Sequence, residues 1–228
     1  MKKLLILLSL CGVITIGSSV SAKANTFTDA TAEMPCRITA IGDSITYPYS
    51  YATVFDSMPE FQVKNFAACG TQVAGEADHS FVNRTKLLYL DSDIILIMGG
   101  TNDFCGYMYA NNPIGSIIDD DITTFCGAYN TMIKNLREHN PMSKIVLITP
   151  IKRIDEAYVN EAGHTLVDYV NAVKYIARRN GLKYIDLYNN PVCDFTQNGL
   201  LIDGLHPSRE GQQIMAKEIH DQLVSFKY

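Results

Sequence analysis

The chain has 228 residues, 47% hydrophobic and 19% charged, with 19 lysines and arginines against 24 aspartates and glutamates. That is enough apolar material for one full-sized core, and an acidic balance without a basic run excludes a surface built to track phosphates, so no nucleic-acid partner is expected. No composition break, Pro/Gly/Ser-rich linker or repeat divides the chain, which predicts one domain.

Met1-Lys2-Lys3, an apolar run from Leu4 to Gly17 and the small residues Ser18 to Ala22 have the charged, apolar and cleavage regions of a secretory signal peptide. The expected organisation is therefore a signal segment, 1–22, and a mature domain, 23–228, secreted or delivered to the periplasm of a bacterial envelope. The apolar run is short for a span and is followed by small residues instead of a stop-transfer pattern, so no stable membrane insertion is expected after cleavage. Loss of Lys2 and Lys3 leaves 17 basic against 24 acidic residues, a net of −7.

Cys11 would leave with the signal, and Cys36, Cys69, Cys105, Cys126 and Cys193 would remain. An odd count leaves at least one thiol unpaired within a chain, and Cys105 with Cys126, flanking the irregular stretch 106–116, is the first candidate for a loop-closing disulfide. Cys69 reads as a small buried packing residue. No Cys/His spacing fits a zinc site, and neither a metal nor another cofactor is expected.

The elements follow from periodicity and punctuation. Residues 37–41 predict a buried strand that breaks at Gly42-Asp43-Ser44. A short helix is expected over 51–58 and a strand over 61–64, followed by Asn65-Phe-Ala-Ala-Cys69-Gly70-Thr71. The apolar run 93–98 predicts a strand ending in Gly99-Gly100-Thr101-Asn102-Asp103. Residues 122–139 carry Phe125, Tyr129, Met132, Ile133 and Leu136 on one helical face, and Asn140-Pro141 stops that helix. A strand over 144–149 is followed by a helix over 166–180, with Val167, Val170, Val173, Tyr175 and Ile176 on its apolar face and Gly181 as C-cap. A fifth strand, 182–187, precedes a last helix carrying Ile214, Ile219 and Leu223. Strands alternating with helices predict an α/β fold, a five-stranded parallel sheet covered on both faces in a flavodoxin-like layering.

Several segments just past strand ends carry chemistry, which is where open α/β sheets bind their ligands. A serine hydroxyl is a poor nucleophile at neutral pH and needs an imidazole to take its proton, itself oriented by a carboxylate. Ser44 is the candidate nucleophile, His206 the base and Asp203 the orienter, the last two from one short loop, Asp203-Gly-Leu-His206. The backbone N–H groups of Ser44 and Gly70 and the carboxamide of Asn102 are suitable oxyanion donors. Each residue has a plainer reading: Ser44 as a helix N-cap, Asn102-Asp103 as an Asx turn, and His206-Pro207-Ser208 as the entry to the last helix with Ser208 as N-cap. Their coincidence in one chain favours the catalytic reading. His79, His139, His164 and His220 stand in polar stretches and are expected to be solvated.

Gly42-Asp43-Ser44, Gly70, Gly100-Thr101-Asn102-Asp103 and Asp203-Gly-Leu-His206-Pro207 occur in the order of the four motif blocks of the SGNH hydrolases, the GDSL-type esterases and lipases, which this chain resembles across nearly its whole mature length. The resemblance implies a three-layer α/β/α sandwich, Ser44, Asp203 and His206 as a triad, and Ser44 N–H, Gly70 N–H and Asn102 as the oxyanion hole. The chain departs from many relatives at Ala67, where they have glycine, and at Cys69. The α/β-hydrolase elbow is excluded, since Thr46 stands where its second glycine belongs.

Asp43, Tyr47, Tyr107 and Tyr109 are the candidate substrate contacts, with Tyr49 beside Tyr47 as part of an aromatic wall. The layout is similar to exported bacterial members that remove small acyl groups from carbohydrates, which makes a carbohydrate O-acetylesterase the leading expectation and a small-molecule or carbohydrate ester the expected substrate. Lysophospholipase, acyl-thioesterase and O-acyltransferase activities would use the same residues. A carbohydrate-binding protein on an inactive scaffold would usually lack a triad member, and none is missing here.

Overall fold

The computed structural model describes residues 34–106 and 110–226. The expected signal segment, Cys11, Tyr107 and Tyr109 lie outside the described residues. Strands β1 (Cys36–Gly42), β2 (Phe61–Ala67), β3 (Ile94–Met98), β4 (Lys144–Ile148) and β5 (Lys183–Ile185) form one parallel sheet in the order β2-β1-β3-β4-β5. The order reverses between β1 and β3, so the crevice at their carboxyl ends is the topological switch point of the sheet.

Alternation along the strands builds two cores. Ile95 and Ile97 of β3 and Ile145 and Leu147 of β4 face one side, where α4 (Phe125–His139) and α5 (Leu166–Arg179) cover them. Ile94, Leu96 and Met98, with Val146 and Ile148, face the other, under α1 (Tyr51–Asp56) and α7 (Arg209–Ser225). Burying each such aliphatic side chain contributes roughly 1.5–3 kcal/mol. Short helices α2 (Phe81–Arg84), α3 (Thr101–Cys105) and α6 (Phe195–Asn198) fill the connections. The expected α/β/α sandwich is the observed fold. No helix of the described residues is long and apolar enough to cross a membrane.

Caps set the helix ends where periodicity alone placed them loosely. Thr124 accepts from Gly127 N at 3.1 Å, so α4 begins at Phe125 instead of Ile122. Ser208 accepts from Gly211 N at 3.2 Å and starts α7, the expected N-cap. Strand β5 is three residues long, shorter than predicted, because only Lys183–Ile185 find partners along β4. On α5, Val167 and Tyr175 lie at the edge of the stripe and are 39% and 58% exposed, while Leu166, Tyr169 and Ala177 join Val170, Val173 and Ile176 in the core.

The expected disulfide does not form. Cys126 is buried within α4 and Cys105 ends α3, and both are free, as are Cys36, Cys69 and Cys193. The histidines also differ from expectation. His79 is exposed, but His139 packs edge-on to Tyr89, His164 lies against Tyr169, and His220 packs on Phe61 within 3.7 Å of Glu60. An imidazole covers apolar surface as readily as it takes up water, and these three do so from polar stretches of sequence.

Candidate active site

Strand β1 ends at Gly42 and the chain turns at once, Thr46 N donating to Asp43 O at 3.1 Å. A Cβ on Gly42 would stand 2.1 Å from Thr46 Oγ1, so the turn closes only over a glycine. Ser44 is carried on this turn, half-buried; it caps no helix, since Ser50 caps α1.

On the opposite side, Asp203 Oδ1 accepts from the backbone N–H groups of His206 at 2.8 Å and Leu205 at 3.1 Å. Its Oδ2 lies 2.8 Å from His206 Nδ1, and His206 Nε2 lies 2.9 Å from Ser44 Oγ. An ionised carboxylate can only accept, so Nδ1 carries the imidazole proton and Nε2 is left to accept from the serine hydroxyl. The His206 N–H, the ring itself and the Leu205 N–H hold the Asp203 carboxyl down at about 2. The loop is closed by Ile202 N donating to His206 O at 2.8 Å, and Gly204 takes φ +82° within it.

The two halves are clamped by α7. Gln212 accepts from Tyr51 N at 2.9 Å and donates to Ile45 O at 3.0 Å, which ties the helix that follows His206 to the turn that follows Ser44. Nothing local marks Gln212 in the sequence. Its partners lie more than 150 residues away.

Gly70 has φ +69° in the loop after β2, and among the described residues its N–H has no protein acceptor. Asn102, in the first turn of α3, donates from Nδ2 to Thr71 O at 3.0 Å, which leaves its second amide hydrogen for the cleft it lines. Asp103 then joins these two loops: its carboxylate accepts from Val73 N at 2.9 Å, Ala74 N at 3.1 Å and Asn112 Nδ2 at 2.9 Å. Burial pushes Asp103 up to about 6 against those hydrogen bonds. Asn102-Asp103 is thus a helical strut between two loops and not a strand-ending Asx turn.

Ser44, Gly70, Asn102, Asp203 and His206 line one cleft of about 720 Å³, with Cys69, Cys105, Arg153, Asp155 and Leu205. Arg153 and Asp155, in the segment after β4, are not among the candidates read from the sequence, although the strand-end rule applied to β4 leads to that segment. Three expectations are corrected. Asp43 is 2% exposed, its Oδ1 accepts from Ile45 N at 2.9 Å, and burial pushes it up to about 6; it supports the turn from below and does not line the cleft. Tyr47 is half exposed and is not among the described cleft residues. Cys69 is exposed in the cleft and is no packing residue.

No curated protein sequence matches the chain. Its structure is similar to that of a possible lipase from Chitinophaga pinensis at 26% identity, with 83% of this chain and 98% of that one covered and a TM-score of 0.70. A protein from Lactobacillus plantarum shares the fold at 24% identity, 83% and 97% coverage and a TM-score of 0.74. An acetyl xylan esterase shares it at 20% identity, 82% and 99% coverage and a TM-score of 0.62. The family model for GDSL-like lipases and acylhydrolases matches residues 40–214, from β1 into α7. The chain accordingly belongs to the GDSL-like lipase/acylhydrolase family of SGNH hydrolases and is by class a carboxylic ester hydrolase.

Proposed function

We propose that the protein is an exported serine esterase that removes short acyl groups, acetyl foremost, from carbohydrates. The observation that carries the reading is the Ser44–His206–Asp203 chain of 2.9 and 2.8 Å contacts opening on a cleft that the charged side chains of Arg153 and Asp155 also line. A long acyl chain needs a continuous apolar channel; a short acyl group and a polyhydroxylated alcohol do not.

His206 Nε2 takes the Ser44 proton as Oγ attacks the ester carbonyl, and Asp203 stabilises the imidazolium that forms. The carbonyl electrons move to the oxygen, where the N–H groups of Ser44 and Gly70 and the free amide hydrogen of Asn102 receive the charge. Collapse expels the alcohol, protonated by His206, and leaves an acyl-Ser44. Water, activated by the same imidazole, attacks that acyl group; the acid leaves and Ser44 regains its proton. Export rests on the charged, apolar and small-residue regions of residues 1–22. The acetyl xylan esterase of similar fold acts on an acetylated polysaccharide, and this chain's substrate reading rests on its own cleft lining.

Hydrolysis of 4-nitrophenyl esters from acetate to palmitate by the purified chain, with Ser44→Ala beside it, tests the reading. Rates should peak at acetate and vanish in the variant. A peak at long chains would replace it with a lipid esterase.

A further inference from the structure

The cleft wall next to His206 contains an ion pair that the reaction steps above do not use. Arg153, 9% exposed in its side chain, follows β4 and is fixed on every side. Its Nη1 donates to Thr101 Oγ1 at 3.1 Å and to Thr101 O at 3.4 Å, its Nε and Nη2 donate to the two carboxylate oxygens of Asp155, and its plane lies 5.3 Å from the centre of the Phe104 ring. A guanidinium has five N–H donors. Four of them are committed inside the protein, so Arg153 offers little to an anionic ligand.

Asp155 is different. It is 49% exposed and lines the cleft. Each of its oxygens receives one hydrogen bond from Arg153 and keeps a further lone pair, so the pair presents to the cleft a fixed acceptor whose rotamer is already set. Such a group accepts from hydroxyl donors and repels phosphates and carboxylates, all the more with Asp203 in the same wall.

Its position selects the alcohol side of the ester. Ile154 N donates to Gly204 O at 3.0 Å, and a Cβ on Gly204 would stand 2.3 Å from Ile154 Cδ1, so residues 153–155 are pressed against the loop that carries His206. His206 delivers its proton to the departing alkoxide, so the alcohol leaves on that side.

We propose that Asp155, held by Arg153, is a specificity residue that accepts a hydrogen bond from a free hydroxyl of the leaving alcohol and so selects polyhydroxylated alcohols, sugars among them. The assignment rests on the esterase reading above and names the alcohol that reading requires.

The test compares two acetates of equal ring size, a methyl xyloside carrying one acetyl group and cyclohexyl acetate, with 4-nitrophenyl acetate as the general substrate. A hydrogen bond to a charged group predicts that the wild type prefers the glycoside by about tenfold or more in kcat/KM. Asp155→Ala should bring that ratio to within about twofold of unity, chiefly by raising KM for the glycoside, as loss of uniform binding does. Asp155→Asn keeps one acceptor oxygen and should restore part of the preference, which a merely structural role would not predict. A wild-type ratio near unity, or a ratio unaltered in Asp155→Ala, overturns the assignment while Ser44-dependent hydrolysis of 4-nitrophenyl acetate leaves the esterase reading standing. Absence of that hydrolysis removes both.

Discussion

Arg84 donates through Nη2 to the Gly42 carbonyl at 2.7 Å and through Nη1 to Thr71 Oγ1 at 2.8 Å. One guanidinium thereby holds the end of β1, two residues before Ser44, against the loop that presents Gly70. Its plane also lies 4.2 Å from the centre of the Phe81 ring. Burial lowers its pKa to about 10, with the nearby Asp43 charge opposing that shift.

Arg84→Met keeps an unbranched apolar stem and removes the guanidinium and its donors. It should cost about 1–3 kcal/mol of stability, read as a lower midpoint in urea with an unchanged slope. Turnover of 4-nitrophenyl acetate should fall in kcat more than in KM, because Ser44 and Gly70 lose their common anchor. Arg84→Lys should rescue little, since one ammonium cannot reproduce the two-pronged geometry. Wild-type kcat in Arg84→Met would show that the anchor is dispensable.

Ser44→Ala and His206→Ala should each remove turnover to about the same residual level, and the double variant should be no worse, because the two groups act as a unit. Asn102→Ala should reduce kcat by about a hundredfold or more with little change in KM, the usual cost of one oxyanion donor. Circular dichroism of each variant separates chemistry from folding. Full activity in Asn102→Ala would remove that side chain from the oxyanion hole.

Two buried carboxylates set an unusual pH dependence. Asp43 and Asp103 are pushed up to about 6 by burial, above the ordinary value of about 3.9 that each regains on unfolding. Between those values the folded chain holds protons that the unfolded chain has released, so stability falls as pH rises from about 4 through about 6. Asp203 acts in the other direction and in another window: held at about 2, it adds stability that is present above its unfolded value and is lost as pH falls toward about 2. The melting temperature should therefore peak near pH 4–5 in a calorimetric series. Asp43→Asn keeps the acceptor for Ile45 N and should flatten the falling limb by about half. A melting temperature that climbs steadily from pH 4 to 7 would contradict both burial assignments.

The five described cysteines are free, so dithiothreitol should leave the melting temperature unchanged. Native iodoacetamide labelling should modify Cys69 first and slow hydrolysis, because Cys69 adjoins Gly70 in the cleft. Cys126 and Cys193, buried and pushed up to about 11 and about 12, should react only after unfolding. A Cys105–Cys126 peptide pair in a non-reducing digest would refute the unpaired state.

What the sequence by itself determined is what depends on neighbours along the chain. Apolar runs broken by Gly-Asp-Ser and Gly-Gly-Thr-Asn made strands with turns at their carboxyl ends, and that placed Ser44 and Asn102 at the crevice. Asp203 and His206 are three residues apart, so their mutual geometry is a property of one loop, and Ser208 caps α7 through a bond to Gly211 three residues on. Only the tertiary structure decided which distant groups meet. Arg84 reaches Gly42, Gln212 reaches Ile45, and Asp103 reaches Val73 across separations that no periodicity encodes. Burial was decided there too: Asp43 turned inward, Cys69 outward, and Val167 and Tyr175 to the open edge of α5. The physical reason is the same throughout. A local pattern states which face of an element is apolar, but the energy of covering that face, and of pairing every polar group beneath it, belongs to the elements that the fold brings alongside.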